Sequence, residues 1–140
     1  MVAPVTAPKP ALTKNQTLVF DALTKAEAPM SAYTILDKLR DHGFRAPLQV
    51  YRALDKLLEF GLIHRLESMN SFVACAHPDH HHHHDHGVTA FAICEDCGQV
   101  TEMHDEAMEE RLSVLAGKQH FKTEKTTIEI RGHCQNCTAE

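Results

Sequence analysis

Four of the five cysteines in this 140-residue chain stand in two Cys-x-x-Cys pairs, Cys94-Glu95-Asp96-Cys97 and Cys134-Gln135-Asn136-Cys137. A turn at each pair can aim two sulfurs at one point, and four thiolates at one point make a closed tetrahedral zinc site of the structural kind. The 36 residues between the pairs exceed the span of a simple zinc ribbon. A small folded unit is therefore expected between them, its two ends clipped together by metal. The competing chemistry is two disulfides or unpaired core thiols. No secretory segment precedes the chain, so a reducing cytoplasm is expected, and there the spacing favours metal.

Cys75 is left over, in a chain that holds twelve histidines. Seven fall in one stretch, His77, His80 to His84 and His86, interrupted by Asp79 and Asp85. Imidazole and carboxylate together suit divalent transition metals. The run reads as a metal-binding stretch, with a solvated linker of loose affinity as the competing reading, and at least one of its histidines is expected to be a true ligand.

The elements that must position these groups divide the chain in two. The formal net charge of −5 argues at first against nucleic acid. Residues 1–76, however, carry nine Lys and Arg against seven Asp and Glu, a net of +2, while residues 77–140 carry five against twelve, a net of −7. The first half could approach a polyanion and the second could hold cations. No apolar stretch approaches the length that crosses a membrane. Composition and spacing suggest a flexible tail over 1–11, a helix-and-hairpin unit over 12–76, a histidine-rich hinge over 77–87 and a metal-binding unit over 88–140.

In the first unit, Thr13 and Gln16 form a capping box, and Leu18, Val19, Ala22 and Leu23 give the following helix one apolar face. Ser31 caps a second helix with Ile35, Leu36 and Leu39 inward, ending near Gly43. Pro47 opens a third, with Val50, Leu54, Leu57 and Leu58 at helical spacing, ending at Gly61. The period then changes to two over Leu62–Glu67 and Ser71–Ala76, which predicts a hairpin. Three helices and a hairpin outline a winged helix-turn-helix, whose last helix enters the major groove. On that helix Gln49, Arg52 and Lys56 form a stripe opposite the leucines, with Tyr51 beside it. Arg pairs with a guanine edge, Gln with adenine and Lys with phosphate.

A two-residue hairpin loop, Met69-Asn70, would pair Ser68 with Ser71, Leu66 with Val73 and His64 with Cys75. Directly opposed residues share a face. His64 and Cys75 could then bind one ion, and Arg65 would point away, free for phosphate. The second unit reads as strand, helix, strand. Val88–Ile93 leads into the first cysteine pair. A helix with Asp105, Glu106, Glu109 and Glu110 early follows, with Met108, Leu112 and Leu115 as its stripe and Gly117 at its end. Thr127–Arg131 leads into the second pair. So short a unit buries little, and zinc and dimerisation would both help it.

With these residues in hand, the sequence resembles the ferric uptake regulator family from Leu12 onward, and within it most closely the zinc-sensing branch, the zinc uptake regulators. The carriers are Val50-Tyr51-Arg52-Ala53-Leu54, Ile63 to Ser68, Asn70-Ser71-Phe72-Val73 with Cys75, and both cysteine pairs with Gly98 and Gly132-His133. The resemblance implies an α+β protein, a winged-helix DNA-binding domain joined by a hinge to an α/β dimerisation domain with a four-cysteine zinc site. It implies Cys94, Cys97, Cys134 and Cys137 as structural zinc ligands. It implies His64, Cys75 and Glu102 as regulatory zinc ligands, completed by a hinge histidine, His86, or its neighbour His84. Tyr51 and Arg52 match the DNA-contacting pair. Leu48-Gln49 replaces the more usual Pro-Thr, and Thr126 stands where iron-sensing members tend to have a histidine.

The expected function is a cytoplasmic, zinc-responsive transcriptional repressor. It is not an enzyme, and it binds operator DNA as a metal-loaded homodimer. Paired dimers on one operator would exchange the charges of Asp37 and Arg40. Zn2+ is the expected cofactor at both sites: four thiolates hold the structural ion, and at the regulatory site thiolate and imidazole with one carboxylate favour zinc over iron or manganese. The alternatives are a family member that senses another metal or peroxide, and a zinc-buffering or chaperone protein built on the histidine run.

Overall fold

The computed structural model describes residues 11–75 and 88–138. Helix α1 (Lys14–Lys25) starts at the expected capping box: Thr13 Oγ1 accepts from the Gln16 N–H (3.2 Å), and Gln16 Oε1 accepts from the Thr13 N–H (3.0 Å). Helix α2 (Ala32–Leu39) is capped by Ser31 and runs into a 3-10 turn, Arg40–His42, which Gly43 closes at φ +98°. Helix α3 (Pro47–Glu59) has proline in its first turn, where a missing N–H is tolerated. No side chain at Ala46 caps it. Gln49 does so from inside, its Oε1 accepting from the Arg45 and Ala46 N–H groups at 2.7 and 3.1 Å.

The three helices bury Val19, Leu23, Ile35, Leu36, Val50, Leu54 and Leu57 in one core. Ala53 is buried and Leu58 only half-buried, so the apolar face of α3 is turned slightly from the expected Leu58 side. The hairpin β1 (Ile63–Leu66) and β2 (Ser71–Ala74) closes this core through Ile63 and Phe72. Met30, just ahead of α2, bridges to Phe72 with two backbone hydrogen bonds of 2.8 and 3.1 Å.

The hairpin register differs from the expected one. Leu66 pairs with Ser71, Arg65 with Phe72, His64 with Val73 and Ile63 with Ala74. The loop therefore holds four residues, Glu67 to Asn70. Two successive turn bonds, from the Met69 N–H to the Leu66 carbonyl and from the Asn70 N–H to the Glu67 carbonyl, shape it. Asn70 takes the left-handed conformation at φ +48°, which asparagine tolerates. The shift is two residues, an even number, so every side chain keeps its face. The Cys75 N–H donates to the Leu62 carbonyl at 2.9 Å, and Cys75 stays on the His64 face, two positions along.

The remainder is a three-stranded sheet in the order β4-β3-β5. Its members are β3 (Val88–Cys94), β4 (Val100–Met103) and β5 (Thr126–Gly132), with β4 antiparallel and β5 parallel to the central β3. Strand β4 corrects the expected strand-helix-strand order. Val100-Thr101-Glu102-Met103 is too short to show its period, and its identity as a strand comes from pairing with β3. Helix α4 (Glu106–Lys118) is capped by Asp105, and α5 (Gln135–Thr138) is one turn. Gly117 does not end α4. His120 takes the left-handed position at φ +55°, and the Phe121 N–H closes the helix on the Ala116 carbonyl. The expected stripe of Met108, Leu112 and Leu115 is not buried in this chain. None of the α4 residues is buried, and a groove of about 680 Å³ lies among Leu112, Val114, Phe121, Val88 and Thr126.

Candidate metal centres and nucleic-acid interface

The parallel register β3–β5 sets Cys94 beside Gly132, so the two Cys-x-x-Cys turns leave the same edge of the sheet together. The Glu95 N–H donates to the Gly132 carbonyl at 2.8 Å. In the first turn the Gly98 N–H returns to the Cys94 carbonyl (3.0 Å), and Gly98 has the φ of +79° that glycine adopts without strain. The second turn closes from the Cys137 N–H to the Cys134 carbonyl. The four sulfurs lie within 4.8 Å of one another, with Cys97 and Cys134 sulfurs 3.7 Å apart.

The thiols do not share one proton affinity. Backbone N–H groups of Cys97 and Cys134 lower Cys94 to about 6. Cys137 is pushed well up by its contact with Cys134, and then by Cys94 and burial. The Gln99 backbone pulls Cys97 down most strongly, but the Cys94 contact, burial and the Cys134 contact together carry it above the ordinary thiol value. Crowded sulfurs that resist joint ionisation are the donor set a tetrahedral divalent cation neutralises, so these residues fit zinc. Outside them, His133 Nδ1 lies 2.6 Å from Asp96 Oδ2 and Arg131 is 2.8 Å from Glu95, each pair linking one turn to the strand that leads into the other. The Asp96 hydrogen bond, followed by its charge, raises the His133 pKa.

A second cluster joins the hairpin to the sheet. Ligand atoms of His64, Cys75 and Glu102 lie within 4.8 Å of one another. His64 Nε2 is 3.0 Å from Glu102 Oε1, and the His64 ring meets Phe91 edge-on at 5.3 Å. The Glu102 side chain is only 4% exposed, and its other oxygen lies 2.7 Å from His104 Nε2. A carboxylate so buried requires cationic or hydrogen-bonding partners, and a nitrogen, a sulfur and an oxygen converging on one point suit zinc. His86 and His84, expected to complete this set, lie outside the described residues, as does the run His80 to His83.

On α3, Arg52 and Lys56 are exposed and Leu48 is 56% exposed. Lys56 Nζ lies 3.2 Å from Glu59. Gln49 is half-buried with its side-chain oxygen committed to the helix start, leaving its NH2 group for an outside acceptor. Tyr51 packs partly against the helical core. Arg65 points away from His64 and bonds Asn70 Oδ1 at 3.1 Å, with its guanidinium 6.0 Å from the Phe72 ring. Asp37 of α2 and Arg40 of the following 3-10 turn are exposed but satisfy each other at 3.1 Å.

Residues 11–131 match the ferric uptake regulator family. Over 129 residues the chain is 39% identical to the zinc uptake regulation protein of Escherichia coli (strain K12), covering 90% of this chain and 72% of that protein. The chain belongs to the ferric uptake regulator family. Two solved structures of similar proteins cover this family fold closely. A zinc uptake regulator complexed with zinc and DNA shares 37% identity and a TM-score of 0.84, over 91% of this chain and 83% of that one. Holo XcZur shares 36% identity and a TM-score of 0.82, over 92% of this chain and 87% of that one.

Two features of this family member escaped sequence reasoning. His104, two residues along β4 and its end from Glu102, gave a signal only as one more histidine. The hydrogen bonds from Ser68 in the hairpin loop to Glu129 in β5 join residues 61 positions apart, and no local pattern marks them.

Proposed function

We propose that this chain is a zinc-responsive transcriptional repressor that binds operator DNA as a metal-loaded homodimer and controls zinc-uptake genes. Residues 12–76 read DNA, 77–87 serve as hinge, and 88–140 dimerise and hold metal. The observation that carries this reading is the second cluster: His64 and Cys75 come from the hairpin that flanks the reading helix, and Glu102 comes from the sheet. A cation held there, with His86 or His84 as a further ligand, supplies charge neutralisation between the two parts. It thereby favours one arrangement of the reading helix over others by its differential affinity.

Within that arrangement Arg52 takes a guanine edge, and Lys56 and Arg65 take phosphates. Tyr51 offers its hydroxyl, and Gln49 its NH2 group. The four-cysteine cluster holds a second, permanent zinc. Exposed Val114, Leu115, Phe121 and Ile130 give a second copy an apolar surface to cover. The protein acts by binding, in the cytoplasm, with no catalytic step. A sensor of another metal or of peroxide is disfavoured by the thiol of Cys75 in the ligand set. Mobility-shift titration on the protein's own promoter DNA at buffered free zinc tests the reading. Binding that ignores zinc, or follows another divalent metal at lower free concentration, refutes it.

A further inference from the structure

The hairpin lies against the sheet, and their contacts fall on one row. Phe91 of β3 pairs with Glu102 of β4 on one side and with Glu129 of β5 on the other. Paired residues on adjacent strands project from the same face, so a carboxylate flanks the central phenyl ring on each side. The hairpin meets this row with alternate residues. His64 approaches Glu102 and Phe91, Leu66 is fully buried in a cluster with Phe91 and Ile93, and Ser68 reaches Glu129. The Ser68 hydroxyl donates to Glu129 Oε1 at 2.5 Å, and the Ser68 N–H lies 3.2 and 3.4 Å from the two carboxylate oxygens.

We propose that Ser68 and Glu129 form a positioning clasp, the metal-independent end of the same interface. The clasp holds the hairpin in its DNA-binding arrangement and lowers the zinc concentration at which the regulatory cluster fills. This rests on the proposed zinc-dependent DNA binding. Glu102 and Glu129 stand two strand spacings apart, roughly 10 Å. A hairpin fixed only at the His64 end can pivot, whereas one fixed at both ends of the row cannot. Hydrogen bonds to a carboxylate are about twice as strong as neutral ones. A contact made only in the arrangement that binds zinc raises zinc affinity by linkage, whether or not it touches the metal. Glu129 lies on the sheet, away from the reading helix, so its substitution separates this effect from direct DNA contact.

The test uses the full chain with its four-cysteine zinc in place. Zinc affinity of the second cluster is read by competition with a chromophoric chelator, and the zinc midpoint of operator binding by mobility shift. Glu129→Ala should raise both zinc midpoints about 10-fold, within the usual range of such couplings. Operator affinity at saturating zinc and the structural zinc count should stay at wild-type values. Ser68→Asp, which sets two carboxylates against each other, should raise the midpoints further, and adding Glu129→Lys to it should restore them. Unchanged midpoints for Glu129→Ala overturn the clasp. Should Glu129→Ala lose the structural zinc, the charge-swap pair decides, and failure of the double variant to recover overturns it. If the wild-type chain shows no zinc-dependent DNA binding, the proposed function fails, and the chelator midpoints still decide the clasp.

Discussion

Charge governs both metal clusters at the residue scale. Glu102 is buried between two imidazoles, and the hydrophobic ring of Phe91 covers His64. Cys75 is the one thiol that separates this donor set from an oxygen-and-nitrogen set. Cys75→Ser is nearly isosteric, but its hydroxyl stays protonated and ligates zinc poorly. It should abolish zinc-dependent operator binding while the chain keeps about one tightly held zinc, a count typical of one closed structural site. Metal analysis beside mobility shifts checks this; wild-type zinc response in Cys75→Ser would place the sensor elsewhere. The four-cysteine site has its own pH signature. Cys94 is lowered from 9.0 to about 6, so its thiolate contributes stability that is fully present above 9.0 and lost as pH falls through about 6. Zinc lowers that range further, because metal and proton compete for sulfur. Release of the structural zinc to a colorimetric indicator should increase as pH falls, because protons compete with the metal for the thiolates, and release that ignores pH would contradict the assignment.

Individual elements act as mounts for single side chains. Val50, Ala53, Leu54 and Leu57 bury one face of α3 and so fix which residues it presents outward. Arg52 stands on the outward side. Arg52→Ala should weaken operator binding by about 1–3 kcal/mol and blur base preference. Lys56→Ala should weaken binding evenly across sequences and flatten the salt dependence. A salt titration on matched and mismatched duplexes separates the two. The helices of this element were legible because their signals are local: Thr13 with Gln16, Ser31 ahead of its apolar stripe, and Pro47 in a first turn. The hairpin register was not. Its apolar alternation fixes faces, but pairing depends on whether the loop holds two residues or four, and the Asn70 conformation settles that only in the folded chain.

Across the whole molecule, the helical part has a complete core and the sheet part has not. Val114 is 46% exposed, Leu115 43%, Phe121 67% and Ile130 52%, around a helix that buries none of its residues within the chain. Large exposed apolar surface on a small unit marks an interface. Leu115→Glu should shift the protein to monomer in sedimentation velocity and lower operator affinity, since two half-sites are no longer linked. A dimer that survives both Leu115→Glu and Phe121→Glu would move the interface off this face. Cys134→Ser tests the other support of the same part. It should release the structural zinc and unfold the sheet, because apparent binding of about 10–16 kcal/mol is folding free energy in such units. Circular dichroism and metal analysis read both losses.

The sequence alone determined the two cysteine pairs as one zinc site, the three helices with the caps at Thr13 and Ser31, and the placement of His64 and Cys75 on one face. These rest on spacings of a few residues, or on a two-residue period that survives an even shift in register. Tertiary structure decided the rest. Val100–Met103 is a strand because β3 pairs with it, and Glu102 meets His64 only because that pairing carries it across the sheet. Glu129 finds Ser68, and the stripe of α4 stays outside, for the same reason. Which surfaces meet depends on long-range packing, and one chain's local pattern marks a face as apolar or polar without saying what will cover it.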